Sequence, residues 1–428
     1  MASKPSFPWP VRPAILPGEA FSSWFARLAV GNGLRPEELY RVYLPGAYLC
    51  GRDLDRFACE SLIDFLSQRT ATDRNCIEAS TFMRWSGLLY GEDDGRGKLH
   101  WLPPAGRERT TSSFGQQICP ACLAEDEMPY LRLEWRLGFM TACERHCVSL
   151  VDRCPNCAEP LYILHAQRNL SGVRCWKCSF DYSHAEQVEV LGLQTFRQQE
   201  HLNNVLTEGW GELGDYGHVH ALPYFKILSM VFRLLATGRF SLAMRLHIAR
   251  SGGYPPPSGI PRIKEVENLN PRCRRELLRM ACGLMEDWPH RFLDTCRSIG
   301  LAPRHLIRDP VATPFAFWDA VRGNLAEPIR VMGAEEMASA CWVTQKRGKR
   351  KTRVELLELV RVKTKQIDLH ADPSIQHLPY GDGRYWKLDG VSPEIRRAAK
   401  LAASREGENV GAWVDKALRK ATGYLMAK

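Results

Sequence analysis

Apolar residues near the start of the chain recur at helical spacing. Phe21, Trp24, Phe25, Leu28 and Ala29 fall at offsets 0, 3, 4, 7 and 8, which is one face of a helix, and Ser22 and Ser23 stand close to its start as cap candidates. Gly31-Asn32-Gly33 supplies a turn. Pro36, followed by Glu37 and Glu38, suits the first turn of a second helix carrying Leu39, Val42 and Tyr43. The pattern predicts a helix-turn-helix, a form shared by DNA-reading modules and by ordinary packed hairpins. From about residue 191 to 345 the chain again reads as helical, interrupted at 251–261 by a Pro/Gly-rich stretch that cannot continue a helix and is expected to connect domains. Beyond it, Phe292 to Ile299, a break at Gly300-Leu-Ala-Pro303, and Pro314 to Leu325 predict either a helix-turn-helix or part of a bundle.

The last 45 residues carry a different pattern. Arg384-Tyr-Trp-Lys-Leu388 is strand-like, and Gly390 can turn it. Ser392-Pro393-Glu394 then starts a helix with Ile395, Ala398, Ala399 and Ala402 on one face, and a break at Gly407-Glu-Asn409 is followed by Val410, Trp413, Val414, Ala417 and Leu418. The order strand, helix, turn, helix resembles a ribbon-helix-helix module. Such modules pair strands between two copies and can place the ribbon in the major groove, which implies a homodimer. Arg384 and Lys387 are then candidate DNA contacts, and Asn409 at the start of the last helix is a candidate phosphate contact.

Composition narrows the class. At 428 residues, 45% hydrophobic and 25% charged, the chain has the make-up of a globular protein of several domains. No apolar run reaches the roughly 18 residues a membrane helix needs: the richest stretch, Phe225 to Ala236, is broken by Lys226 and Arg233. The opening residues lack the apolar segment of a secretory signal, so a cytoplasmic protein without a membrane anchor is expected. The net charge of +10 is unevenly spread. Residues 330–428 hold 20 Lys and Arg against 12 Asp and Glu, whereas residues 110–190 hold 7 against 10. A polyanion would therefore prefer the C-terminal end, where Lys346, Arg347, Lys349, Arg350, Lys351 and Arg353 form a run suited to following a phosphate backbone or to solvating a linker.

The chain has 15 cysteines, and in a reducing compartment they call for a reason other than disulfides. Their spacing supplies it. Cys119-Pro-Ala-Cys122, Cys143-Glu-Arg-His146, Cys154-Pro-Asn-Cys157 and Cys175-Trp-Lys-Cys178 are four pairs, each separated by two residues. That spacing lets a tight turn aim both side chains at one ion, and two such turns complete a tetrahedron around Zn2+. Sequential pairing gives one site from Cys119, Cys122, Cys143 and His146 and a second from Cys154, Cys157, Cys175 and Cys178; cross-brace pairing satisfies the spacing too. Cys147 could replace His146, although the spacing favours the histidine. Both sites would be full, so the expected cofactors are two structural Zn2+ ions. The acidic segment around them predicts a protein-facing or scaffolding role. Cys50, Cys59, Cys76, Cys273, Cys282, Cys296 and Cys341 are expected to be core or half-buried residues.

Around these ligands the sequence resembles a known family. Leu16-Pro-Gly-Glu19, Ser23-Trp24, Arg27-Leu28-Ala29 and Asn32-Gly33, followed by Ile118-Cys-Pro-Ala-Cys-Leu123, Glu125-Asp126, Pro129-Tyr-Leu-Arg-Leu133 and Trp135-Arg-Leu137, are similar to the TniQ/TnsD family of transposition proteins. Cys143-Glu-Arg-His146 and Cys154-Pro-Asn-Cys157 fit the same pattern, and the resemblance covers roughly residues 8–180. It implies a non-enzymatic target-selection factor that connects a target-recognising component to an AAA+ transposition ATPase of the TnsC/TniB kind. Some such proteins recognise DNA themselves; others are delivered by a CRISPR effector complex or act at resolution sites.

The expected architecture is mainly α. It comprises a helical N-terminal domain (1–110), a double zinc-binding segment (111–190), a helical region (191–345), a basic linker (346–383) and a ribbon-helix-helix-like module (384–428). No residue is assigned a catalytic role, since GxxxxGK[ST], HExxH and GxSxG are all missing from the sequence. Two other classes compete with the adaptor. An autonomous zinc-containing transcriptional regulator would use the tail and hairpins on an operator. A metal-dependent nuclease would use His218-Val219-His220 with Tyr224 nearby, a pattern that a surface strand or loop explains more simply.

Overall fold

The computed structural model describes residues 8–43, 45, 53–93, 95, 97–108, 111–165, 172–186, 191–252, 259–261 and 269–325, together with 399, 402, 403, 406, 412–414, 416 and 417. The chain divides into two compact units, Met1–Pro328 and Ile329–Lys428. It is mainly helical, with a few short strands. Among the described residues no single helix is long and apolar enough to cross a membrane.

The predicted first helix forms as α1 (Phe21–Gly31), with Phe21, Trp24, Phe25, Leu28 and Ala29 all buried. Its serines do not cap it. The cap position is Ala20, without a side-chain hydrogen bond, and Ser22 and Ser23 are buried inside the helix. They serve as polar anchors: Ser22 donates from N–H and Oγ to Asp55 at 2.7 and 3.0 Å, and Ser23 Oγ donates to Glu19 at 2.9 Å. Gly33, at a φ of +71°, makes the turn into α2 (Pro36–Tyr43), a conformation for which a side chain would be strained. Glu38 accepts from the Arg35 N–H at 2.8 Å, closing the start of α2.

The short helices α3 (Leu54–Phe57), α4 (Glu60–Thr70) and α5 (Arg74–Ala79) follow. α1, α2 and α4 close a core of Phe21, Trp24, Phe25, Leu28, Leu39, Leu62, Ile63 and Leu66, and Tyr162 and Leu164 enter it from far along the chain.

A second and larger core gathers Phe82, Trp85, Trp101, Phe139, the buried cysteines and the helices after residue 191. These helices are α7 (Leu193–Glu208), α8 (Ala221–Ala236), α9 (Ser241–Ser251), α10 (Pro271–Met285), α11 (His290–Ser298), α12 (Pro303–Leu306) and α13 (Phe315–Asn324). α8 is apolar nearly all round and buries ten residues, as the central helix of a soluble core does. α10 begins with a full start signal: Asn270 accepts from the Cys273 N–H at 2.8 Å and Pro271 occupies the first turn. The candidate hairpin after residue 290 is a packed cluster in which Trp288, Phe292 and Phe317 stack within 5.0 to 5.8 Å. Its two predicted helices form as α11 and α13, and the short α12 follows the break between them. The strands form three antiparallel pairs: β1 (Ala105–Glu108) with β2 (Thr111–Phe114), β3 (Ala142–Cys143) with β4 (Val148–Ser149), and β5 (Trp210–Glu212) with β6 (His218–His220).

The two cores meet at Arg136, which is 1% exposed. Its guanidinium reaches Asp53 at 2.5 and 3.0 Å and also contacts Asp55. It donates further to the carbonyls of Pro103 and Gly115, each at 3.2 Å, and lies over the Phe82 ring. A Cβ on Gly115 would stand 1.9 Å from the Pro103 carbonyl, so only glycine lets this loop close on the arginine. Burial pushes the Asp55 carboxyl above its usual range, with Arg136 opposing it. A second tie runs beside the first. Glu19 binds Arg27 at 2.8 Å, Ser23 accepts from the Leu131 N–H at 3.0 Å, and Ala20 N–H donates to the Leu131 carbonyl at 2.8 Å.

Removing Arg136 would leave two carboxylates buried without their cation. Arg136→Ala is expected to cost about 3 to 5 kcal/mol in denaturant unfolding of the full chain. Arg136→Lys should recover only part of it, because an ammonium cannot bind two carboxylates through a planar fork.

His165 gives a second test. Its ring stands 4.5 Å from Tyr162 and 5.5 Å from Trp176, and burial holds its pKa below the ordinary 6.5, with Glu37 opposing. A depressed imidazole pKa favours the neutral folded form. Its contribution is therefore complete above pH 6.5 and is lost as pH falls through the lowered folded value. The fall in unfolding midpoint between pH 7 and about 5.5 should shrink in His165→Gln.

Candidate metal centres

Cys119 occupies the cap position of α6 (Pro120–Glu125), and Cys122 lies in its first turn, so one helix start presents the first pair. Cys143 ends β3, and the turn to β4 carries His146. The four ligand atoms converge: His146 Nδ1 lies 3.4, 3.3 and 3.6 Å from the sulfurs of Cys119, Cys122 and Cys143, and the sulfurs of Cys122 and Cys143 are 3.6 Å apart.

The second set is built from two matching turns. The Cys154 carbonyl accepts from the Ala158 N–H at 2.8 Å, and the Cys175 carbonyl accepts from the Ser179 N–H at 2.9 Å. Each turn is closed by an isolated bridge, Arg153 with Pro160 and Arg174 with Asp181. The sulfurs of Cys154 and Cys178 are 3.6 Å apart, and those of Cys157 and Cys175 are 3.5 Å apart.

These separations test the fit to a metal. A tetrahedral ion with arms of about 2.3 Å to sulfur and about 2.0 Å to nitrogen puts its ligands about 3.5 to 3.8 Å from one another. The observed edges, 3.3 to 3.6 Å, are close to that size. In both sets all four ligand atoms lie within 4.8 Å of one another, and the two sets could each hold a metal ion, consistent with zinc. The grouping is the sequential one.

Cys147 stands outside the first set. Its φ is +54°, the side chain is exposed, and Sγ faces the Glu144 carbonyl at 3.7 Å. Ala158 and Ser179, at +58° and +60°, hold the equivalent place in the second set: each immediately follows the second ligand of its turn. Cys147 is thus the left-handed residue that closes a ligand turn, which directs its thiol away from the site.

The remaining cysteines divide. Cys273 and Cys296 are buried and Cys282 is partly so, and burial pushes the thiols of Cys282 and Cys296 up to about 12. Cys59 and Cys76 are exposed, against the expectation of burial. Cys50 and Cys341 lie outside the described residues.

The other candidate residues fare differently. His218 and His220 sit on β6, opposite Glu212 and Trp210 respectively. His220 Nδ1 accepts from the Leu222 N–H at 3.3 Å and so caps α8, a structural duty. Tyr224 is buried, with its hydroxyl 3.0 Å from His201 Nε2. Among the described residues, the groups able to hold a metal are the two cysteine-based sets, and neither histidine belongs to them. On α2 the outward charges are paired, Arg41 with Glu37 and Arg35 with Glu38, each at 3.1 Å.

Lys346, Arg347, Lys349, Arg350, Lys351, Arg353, Arg384, Lys387 and Asn409 lie outside the described residues. Of the two expected tail helices, Ala399, Ala402 and Ala403 are helical, as are 412–414, Lys416 and Ala417, and Lys416 pairs with Glu406 at 3.2 Å. The Arg136 clamp escaped sequence reading altogether, since nothing local links an arginine to carboxylates 81 and 83 positions away.

Metal analysis of the purified chain is expected to give two zinc ions per molecule. Cys122→Ser and Cys175→Ser should each lose one, whereas Cys147→Ser should lose none.

Residues 10–150 match the model of the TniQ family. The match spans α1, the Arg136 clamp and the whole first ligand set. No curated protein matches the chain.

Proposed function

We propose that this chain, a protein with a TniQ domain over residues 10–150, is a non-catalytic adaptor that selects the target of transposition. The domain points to a transposition-associated protein, and that match is the observation that carries the reading. In this role the chain links a DNA target, or a complex that has found one, to an AAA+ transposition ATPase. The two ligand sets support the reading as scaffolding: with four protein ligands each, they offer a metal no open position for water or substrate. Residues 346–353 and 384–428 would contribute DNA contacts, with Lys346, Arg347, Lys349, Arg350, Lys351, Arg353, Arg384, Lys387 and Asn409 as the candidates.

Two experiments test this. The full chain should retain its cognate transposition ATPase in a pull-down; specific DNA binding without any such complex would favour the autonomous regulator. Selection from a random DNA pool, comparing the full chain with one ending near residue 345, is expected to lose its enriched sequence on truncation. No enrichment from either would mean that a partner chooses the destination.

A further inference from the structure

His146 contributes Nδ1 to the first ligand set, which leaves Nε2 on the far side of the ring. Nε2 is shut off from solvent and is left without a partner in hydrogen-bonding geometry. Its polar neighbour is Oε2 of Glu125, at 3.0 Å. Glu125 ends α6, the helix whose start carries Cys119 and Cys122, so one element presents both the ligands and the carboxylate. Two further contacts fix that end of the helix. Arg145 Nη2 meets Glu125 Oε2 at 2.6 Å, and Arg132 grips the adjacent Asp126 at 2.9 and 3.1 Å. Glu125-Asp126 is thereby given work that neither the fold nor the ligand spacing assigned to it.

A neutral imidazole carries one N–H, and it can bind a metal only through its other nitrogen. A carboxylate beside Nε2 favours the tautomer with the proton there and frees the Nδ1 lone pair toward the sulfurs. The second set has no imidazole and no such requirement. We propose that Glu125 is the positioning residue of the first metal centre: it accepts a hydrogen bond from His146 Nε2–H and so fixes the tautomer and ring orientation that Nδ1 ligation needs.

This rests on the first set being a metal centre, and the test separates the two claims. Zinc release from the loaded full chain into excess chelator is followed for wild type, Glu125→Ala, Glu125→Gln and Arg145→Ala. Long-range proton–nitrogen NMR reports the His146 tautomer. Wild type should release two equivalents and show the Nε2–H form. Glu125→Ala should release one of the two at least about tenfold faster, the other unchanged, with the Nε2–H form depleted. Glu125→Gln, which keeps an acceptor oxygen, should recover most of the loss, and Arg145→Ala should stay near wild type. Unchanged release from Glu125→Ala would overturn the proposal. So would Arg145→Ala matching Glu125→Ala, since the cause would then be the outer ion pair, and so would Glu125→Gln releasing as fast as Glu125→Ala. Fewer than two zinc ions in wild type would instead overturn the metal reading itself.

Discussion

The buried guanidinium of Arg136 is the constraint to which the rest of the first unit answers. One cation serves two carboxylates, two carbonyls and an aromatic face in a site almost closed to water. A charge so placed is tolerable only when every donor is satisfied, so its partners must be held in register at once. Asp53 and Asp55 come from the start of α3, Ser22 fixes Asp55 from α1, and Gly115 closes the loop that supplies a carbonyl. The N-terminal helices and the large core are therefore locked by polar geometry as well as by packing. Glu19, just before α1, with Ser23 and Arg27 on α1, repeats the device beside it.

The ligand sets join the same assembly from the other side. The first lies within the large core, with Cys119, Cys122 and Cys143 all buried. The second holds the segment whose Tyr162 and Leu164 wedge into the core of α1 and α2, and whose Trp176 flanks it. The sites thus shape the segment that the clamp fastens. The joints of this unit are thus a buried ion pair and two sets of residues that could each hold a metal ion.

What the sequence revealed divides along physical lines. Spacing that acts through one or two turns was legible: the α1 stripe, the Pro36 helix start and the eight residues that gather into the two candidate sets follow from local geometry. Sequential pairing and the exclusion of Cys147 needed three dimensions, because spacing alone satisfied the alternatives. Ser22 and Ser23 misled because serine near a helix start is a cap by statistics, whereas here their carboxylate partners, Asp55 and Glu19, draw them inside. The Arg136 contacts were illegible, because a partner some eighty residues distant leaves no periodic trace. The tail's helical pattern agrees with the helical state of the few residues described there, while its strand and its proposed DNA contacts lie outside the described residues.

All eight ligands, Cys119 through Cys178, precede α7 in the chain, yet the first set shares a core with α7, α8 and α10. As a ribosome extends the chain, both metal sites can be complete before any of those helices has emerged. The residues of both sets are thus all synthesised before the helices that share a core with the first of them.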